Sequence, residues 1–223
     1  MRNRWFIALA AIGLHISIGS VYAWSVLTRP IMADMGFTLS QTTWTFSLAI
    51  LMLGLSAGFL GSFAEKIGPK KSGLLAMLFW VTGLLGTAYA LSIHNLTLLY
   101  LFYGIIGGIG LGIGYITPVS TLVKYFPNRP GFATGLAIMG FGFASLIAGP
   151  LMQFLVAQFG LVNNFIILGV IYLVIMGASS LYLKAPQQKH STRTTKDKST
   201  MYVHTHGMLA NDAMKTWQFG ALW

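Results

Sequence analysis

Cysteine is absent from this 223-residue chain, and acidic residues number only four. Without cysteine there is no disulfide framework, no thiolate metal site and no thiol nucleophile. The scarcity of acids belongs to a wider one. Charged residues make up 8 % of the chain and hydrophobic residues 55 %, whereas a soluble domain is about one quarter charged. With a mean hydropathy of +0.71, the chain has too little polar surface to stay in water, and it reads as an integral membrane protein. A GxxxxGK[ST] phosphate loop and an HExxH zinc pair are also missing, so those enzyme classes are excluded and neither a cofactor nor a metal is expected. What the chain has in excess is glycine, 26 residues, which suits membrane helices that pack backbone to backbone.

Six continuous apolar runs, at 5–27, 41–63, 72–92, 96–119, 132–155 and 161–183, are long enough to cross about 30 Å of hydrocarbon at about 1.5 Å per residue. Their continuity excludes the alternating pattern of an outer-membrane barrel. Turn-forming residues separate them: Thr28-Arg29-Pro30, Ile67-Gly68-Pro69, His94-Asn95, Phe126-Pro127-Asn128 and Val162-Asn163-Asn164. The first run is too long for a cleaved signal and carries Tyr22 and Trp24, so it reads as a retained helix.

Positive charge sets the expected orientation, because short basic loops stay in the cytoplasm. Arg2 and Arg4 precede the first run, Lys66, Lys70 and Lys71 follow the second, Lys124 and Arg129 follow the fourth, and six more basic residues lie in the tail from Lys184 to Lys215. The opposite loops hold Arg29 alone. Both termini are therefore expected on the cytoplasmic side of the inner (plasma) membrane. The net charge of +10 is this bias spread over separate loops, in contact with anionic lipid, and does not predict a nucleic-acid partner.

Runs one to three and four to six can be superposed, Gly19-Ser20-Val21-Tyr22 on Gly112-Ile113-Gly114-Tyr115. The two segments run in opposite senses across the membrane, which predicts two inverted three-helix repeats.

Several loops carry a family likeness. Gly61-Ser62-Phe63-Ala64-Glu65-Lys66-Ile67-Gly68-Pro69-Lys70-Lys71 resembles the loop signature of the major facilitator superfamily, with Glu65 in place of the usual aspartate and Pro69 where a base is common. The segment from Lys124 to Gly135, with Asn3-Arg4-Trp5 and Tyr22-Ala23-Trp24-Ser25, is similar to the oxalate/formate antiporter branch. The likeness covers residues 2 to about 184. It implies an all-α membrane fold, half of a twelve-helix carrier, that moves small carboxylates such as oxalate, formate or related monocarboxylates by alternating access. It also implies a cytoplasmic gate from Gly61, Glu65, Lys66, Gly68, Lys70, Lys71 and Arg129, whose ion pairs break and reform as the halves rock; a solvated basic loop is the plainer alternative. Gly149-Pro150 resembles the superfamily's glycine-proline bend, though ordinary packing also explains it.

On this reading residues 1–184 form the six-span bundle, 185–215 a polar linker or tail, and 216–223 the start of a seventh helix. The chain is then expected to be a fragment or one half of a split carrier, with a second six-helix half as partner. The rival is a self-contained six-helix channel or a homodimer.

Tyr22, Trp24 and Tyr115 are candidates for a substrate pathway, since phenol hydroxyls donate to anions and rings exclude water. Tyrosine and tryptophan also anchor helix ends at the membrane interface, and for Trp24 the two readings stand level. Tyr115 follows Gly104, Gly108 and Gly112, a close-packing face at four-residue steps. Position along the helices puts Tyr22 about 5 Å outward of its midpoint and Tyr115 about 8 Å inward, on opposite sides of a central ligand. His15 is the only histidine inside a run and shares a helix face with Gly19 and Tyr22. It is either a proton carrier on the pathway or a hydrogen-bonding group between helices. No Lys or Arg lies away from a run's ends, so the positive charge for an anion is expected from the second half.

Overall fold

The computed structural model describes residues 3–186 and the single position Trp217. The segments assigned above to a linker and a seventh helix lie outside the described residues, apart from 185, 186 and Trp217. Five helices are long and apolar enough to cross a membrane: α1 (Arg4–Met35), α2 (Leu39–Ile67), α3 (Pro69–Ser92), α4 (Leu96–Tyr125) and α5 (Pro130–Tyr182). Among the described residues there is no strand.

Helix α1 begins where the Asn3 side chain accepts a hydrogen bond from the Trp5 amide at 3.0 Å, satisfying one of the free amides at a helix start. It then passes through a 3-10 turn at Ser20–Ala23 and continues through Pro30 to Met35. The turn expected at Thr28-Arg29-Pro30 does not form. Proline removes a single backbone donor, and the wholly buried Leu27 and Ile31 hold both sides of it in the core. The helix ends at Gly36, in the left-handed region with φ 69°, and α2 starts two residues later in a capping box between Thr38 and Gln41. Within α4, residues Tyr100–Gly107 form a π-helical stretch.

Helix α5 has 53 residues, about 80 Å at 1.5 Å per residue, more than twice the hydrocarbon thickness. Its regular backbone breaks at Gly160, with φ 81° and ψ 170°, a conformation open in practice to glycine alone. The break falls just before the turn expected at Val162-Asn163-Asn164, and Gly149-Pro150 lie within helical backbone.

Helix α2 touches its sequence neighbours α1 and α3 little. Helix α1 packs mainly against α5, α2 against α4, and α3 against α4 and α5. Trp80, Leu84, Tyr103, Leu111 and Phe165 fill the interior. Helix α2 is the least covered: 11 % of its most apolar window is buried, against 67 % for α1.

Candidate functional site

Four helices contribute to one aromatic wall. His15 of α1 is wholly buried, with its ring stacked on Tyr115 of α4 at a centroid distance of 5.6 Å. Tyr115 meets Phe141 of α5 edge-on at 5.2 Å, Phe141 meets Tyr22 of α1 at 5.1 Å, and Tyr22 meets Phe46 of α2 at 6.4 Å. The sequence places the two tyrosines at different depths; the structure joins them through Phe141. Close helix packing makes this possible. A Cβ on Gly19 would run into the Phe141 carbonyl, so glycine brings α1 against α5 just below Tyr22.

Beyond Tyr22 and Phe46 the wall opens into a cavity of about 580 Å³ between α1 and α2, lined also by Trp24, Ser25, Thr28, Arg29, Met32, Leu39 and Thr43. Thr28 donates its hydroxyl to the Trp24 carbonyl and Thr43 donates to that of Leu39. Tyr22, 45 % exposed, and the exposed Ser25 and Arg29 are left as donors that an anion in the cavity can recruit. Arg29 was legible in the sequence only as the one basic residue apart from the basic loops, and Phe141 and Phe46 carried no signal among the fifteen phenylalanines.

Trp24 stands apart from Tyr22 although only two positions separate them, because residues two apart face different ways on a helix. Its side chain is 3 % exposed, the indole donates to the Thr42 carbonyl at 3.2 Å, and its ring lies 4.3 Å from that of Tyr103. It forms the inner boundary of the cavity and ties α1 to α2.

Gly104, Gly108 and Gly112 pack on α2: added Cβ atoms would meet Leu48, Met52 with Ala49, and Ser56 with the Leu53 carbonyl. Tyr115 points away from that contact, toward α1 and α5. Ser56 sits in Gly54-Leu55-Ser56-Ala57-Gly58, which fits the GxSxG spacing of serine hydrolases. It lies mid-helix, buried, with its hydroxyl donating to the Leu53 carbonyl at 3.2 Å, so it is a packing serine without the strand-to-helix turn a nucleophile needs. A Cβ added at Gly149 would make only an ordinary contact with Val26, at 3.8 Å.

At the basic end, Glu65 of α2 pairs with Lys124 of α4 at 3.1 Å, both about half exposed; it is the only ion pair among the described residues. Lys66, Lys70 and Lys71 are exposed. Gly68 turns the chain between α2 and α3 with φ 82°, and Gly61 lies against Ile116. Arg129 is elsewhere: it lines a cavity of about 300 Å³ with Arg4, Trp5, Tyr125, Phe126 and Phe132. The Arg4 guanidinium lies 5.5 Å from the Phe126 ring, and Trp5 meets Phe126 edge-on at 5.7 Å. The residues of the expected gate thus divide between these two places.

The sequence profile of the Major Facilitator Superfamily matches residues 6–220. The chain belongs to the Major Facilitator Superfamily. It is therefore similar to transporters and not to enzymes. An uncharacterized MFS-type transporter of Escherichia coli (strain K12), YhjX, is 32 % identical over 194 residues, 86 % of this chain and 47 % of that protein. The oxalate:formate antiporter of Oxalobacter formigenes is 25 % identical over 222 residues, covering 99 % of this chain and 51 % of that protein. Human monocarboxylate transporter 12 is 33 % identical over 171 residues, 71 % of this chain and 32 % of that protein. The chain spans between about a third and about half of the length of these superfamily relatives.

Proposed function

We propose that this chain is one six-helix half of a secondary transporter for small carboxylate anions, working by alternating access with a second six-helix half. The cavity beside Tyr22 carries the reading: its walls are partly aromatic and its available donors, the Tyr22 phenol, the Ser25 hydroxyl and the Arg29 guanidinium, suit a small carboxylate. Two relatives are named for carboxylate substrates, oxalate and formate in one case and monocarboxylates in the other. Arg29 supplies one cation, and a dicarboxylate such as oxalate takes a second from the other half.

The same reading has α5 cross the membrane twice, reversing at Gly160, so that the spans number six. Two glycine contacts support the inverted repeat. Gly19 of the first span abuts the Phe141 carbonyl of the fifth, and Gly112 of the fourth abuts the Leu53 carbonyl of the second, which is the exchange of partners that a swap of spans one and two for four and five demands. The basic end with its Glu65–Lys124 pair then faces the cytoplasm of the inner membrane and acts as the gate, Arg129 with Arg4 bracing the neighbouring loop.

Uptake of labelled oxalate and formate into reconstituted vesicles tests the reading. The chain alone is expected to show none above empty vesicles, and co-reconstitution with a matching six-helix half to restore it. Uptake by the chain alone points instead to a homodimer, and no uptake of either anion in any pairing refutes the carboxylate assignment.

A further inference from the structure

The wholly buried His15 has an unusual pair of neighbours. Its Nδ1 lies 2.6 Å from the carbonyl oxygen of Ala137 on α5, and its Nε2 lies 3.1 Å from the carbonyl oxygen of Tyr115 on α4. Carbonyl oxygens only accept. A neutral imidazole has one N–H and one lone pair, so it can satisfy one of these two groups and must turn a lone pair toward the other; the imidazolium donates to both. We propose that His15 is a proton-binding site of the transporter, and that proton gain and loss make and break the tie from α1 to α4 or α5.

The surroundings suit a cation that comes and goes. The Tyr115 ring stacks on the imidazole with an interplanar angle of 24°, offering its π face, and Phe141 closes another side at 5.7 Å. Tyr115 is the titratable group facing His15 from α4. On α5 the neighbours are Ala137, Gly140 and Phe141, none of them ionisable. The nearest charged positions along each helix are Arg4 and Arg29 on α1, Lys124 on α4 and Arg129 before α5, each roughly 12 Å or more away by helical rise. No carboxylate competes for the proton.

Phe141 touches both His15 and Tyr22, so the site lies one ring behind the wall of the carboxylate cavity. One proton from water joins the free ring nitrogen, one monocarboxylate enters the cavity, and the loaded unit is electroneutral. On the far side the anion leaves and the nitrogen returns its proton to water. The geometry stands by itself, while this proton-coupled transport rests on the carboxylate reading above.

The test separates the two. With His94, His190, His204 and His206 all replaced by Gln, His15 is the sole histidine signal, and ¹⁵N NMR of the labelled chain in nanodiscs follows its protonation across roughly pH 5 to 8. The expected result is a doubly protonated ring at the acid end that becomes a single neutral tautomer as pH rises; a neutral tautomer at every pH overturns the proposal. With a second half present, formate uptake driven by an acid-outside gradient is expected to fall at least tenfold in His15→Gln and His15→Phe relative to formate/formate exchange in the same variant. Gradient-driven uptake equal to wild type in both variants also overturns it. Protonation seen by NMR in a protein that moves no carboxylate leaves the proton site standing and removes the carboxylate reading.

Discussion

Gly112 and Gly58 both lie in apolar helices, yet what stands opposite them differs. A Cβ on Gly112 would strike the Ser56 hydroxyl and the Leu53 carbonyl, whereas one on Gly58 meets nothing within 4 Å. Gly112→Val is expected to lower stability by about 1–3 kcal/mol through overpacking against backbone, and Gly58→Ala to leave it unchanged or raise it by up to about 1 kcal/mol. Unfolding of each variant in the same detergent checks this. The four-residue spacing identified the Gly112 face as a packing surface, but which helix it meets depends on tertiary order that no local pattern encodes. The same limit applies to Glu65. Its place in a family-like loop marked it as a gate residue, while its partner, Lys124, was legible only as topological charge. The half-exposed pair contributes no more than about 1 kcal/mol, so Lys124→Ala and Glu65→Gln are expected to leave folding intact. In the full transporter they should shift accessibility of the two sides in the same direction, and the double variant should add nothing to either. Cysteine labelling from both sides reads the shift, and additive effects would mean the two charges act separately.

Helix ends show where pattern reading succeeds and where it stops. Apolar runs marked the helices, and Gly68-Pro69 and Phe126-Pro127 marked real ends, because glycine and proline act locally there. Pro30 misled for the reason that makes membrane helices tolerant: Leu27 and Ile31, buried on the same turn, hold the backbone while one donor is lost. The break at Gly160 is the opposite case: it lies between the runs 132–155 and 161–183, two residues before the expected turn, at a single positive-φ residue. Gly160→Val is expected to cost about 1–3 kcal/mol and to straighten or misplace the second arm, whereas Gly149→Ala, whose added Cβ would make an ordinary contact with Val26, should be near neutral. Thermal unfolding compares them, and equal midpoints would remove the hinge role. Orientation is tested on the same elements. Cysteine placed at Lys66 or Arg129 should react only from the cytoplasm and cysteine at Phe37 only from outside, in a chain with no background thiol. External labelling at Lys66 would reverse the scheme.

At the scale of the molecule, the sparse cover on α2 matters most. Leu51, Leu55, Phe59 and Phe63 are exposed, and Gly54 and Gly58 face open space, so this helix has a side that lipid or a second half must cover. On the two-half reading, Gly58→Trp should leave the chain's own stability unchanged while weakening capture of the other half at least tenfold in a pull-down from membranes. Unaltered capture would place that half on another face. The superfamily and the transporter class were legible from loops and composition, since those signals are local. The aromatic wall was not, because His15, Tyr115 and Phe141 meet only after α4 and α5 have closed on α1.

That late closure has a consequence in time. Trp5 waits for Phe126 and Phe132, His15 for Tyr115 and Ala137, and Gly19 for Phe141. At the usual pace of a ribosome more than a hundred residues take on the order of ten seconds. Throughout that interval α1 sits in the bilayer with a histidine and a bare glycine face that nothing in the nascent chain yet covers. A chain arrested after α3 therefore has its first helix tied within the protein mainly near its end, by Trp24 to the Thr42 carbonyl of α2, with the His15 and Gly19 face left to lipid or the insertion machinery, and that intermediate is the one quality control would find most easily.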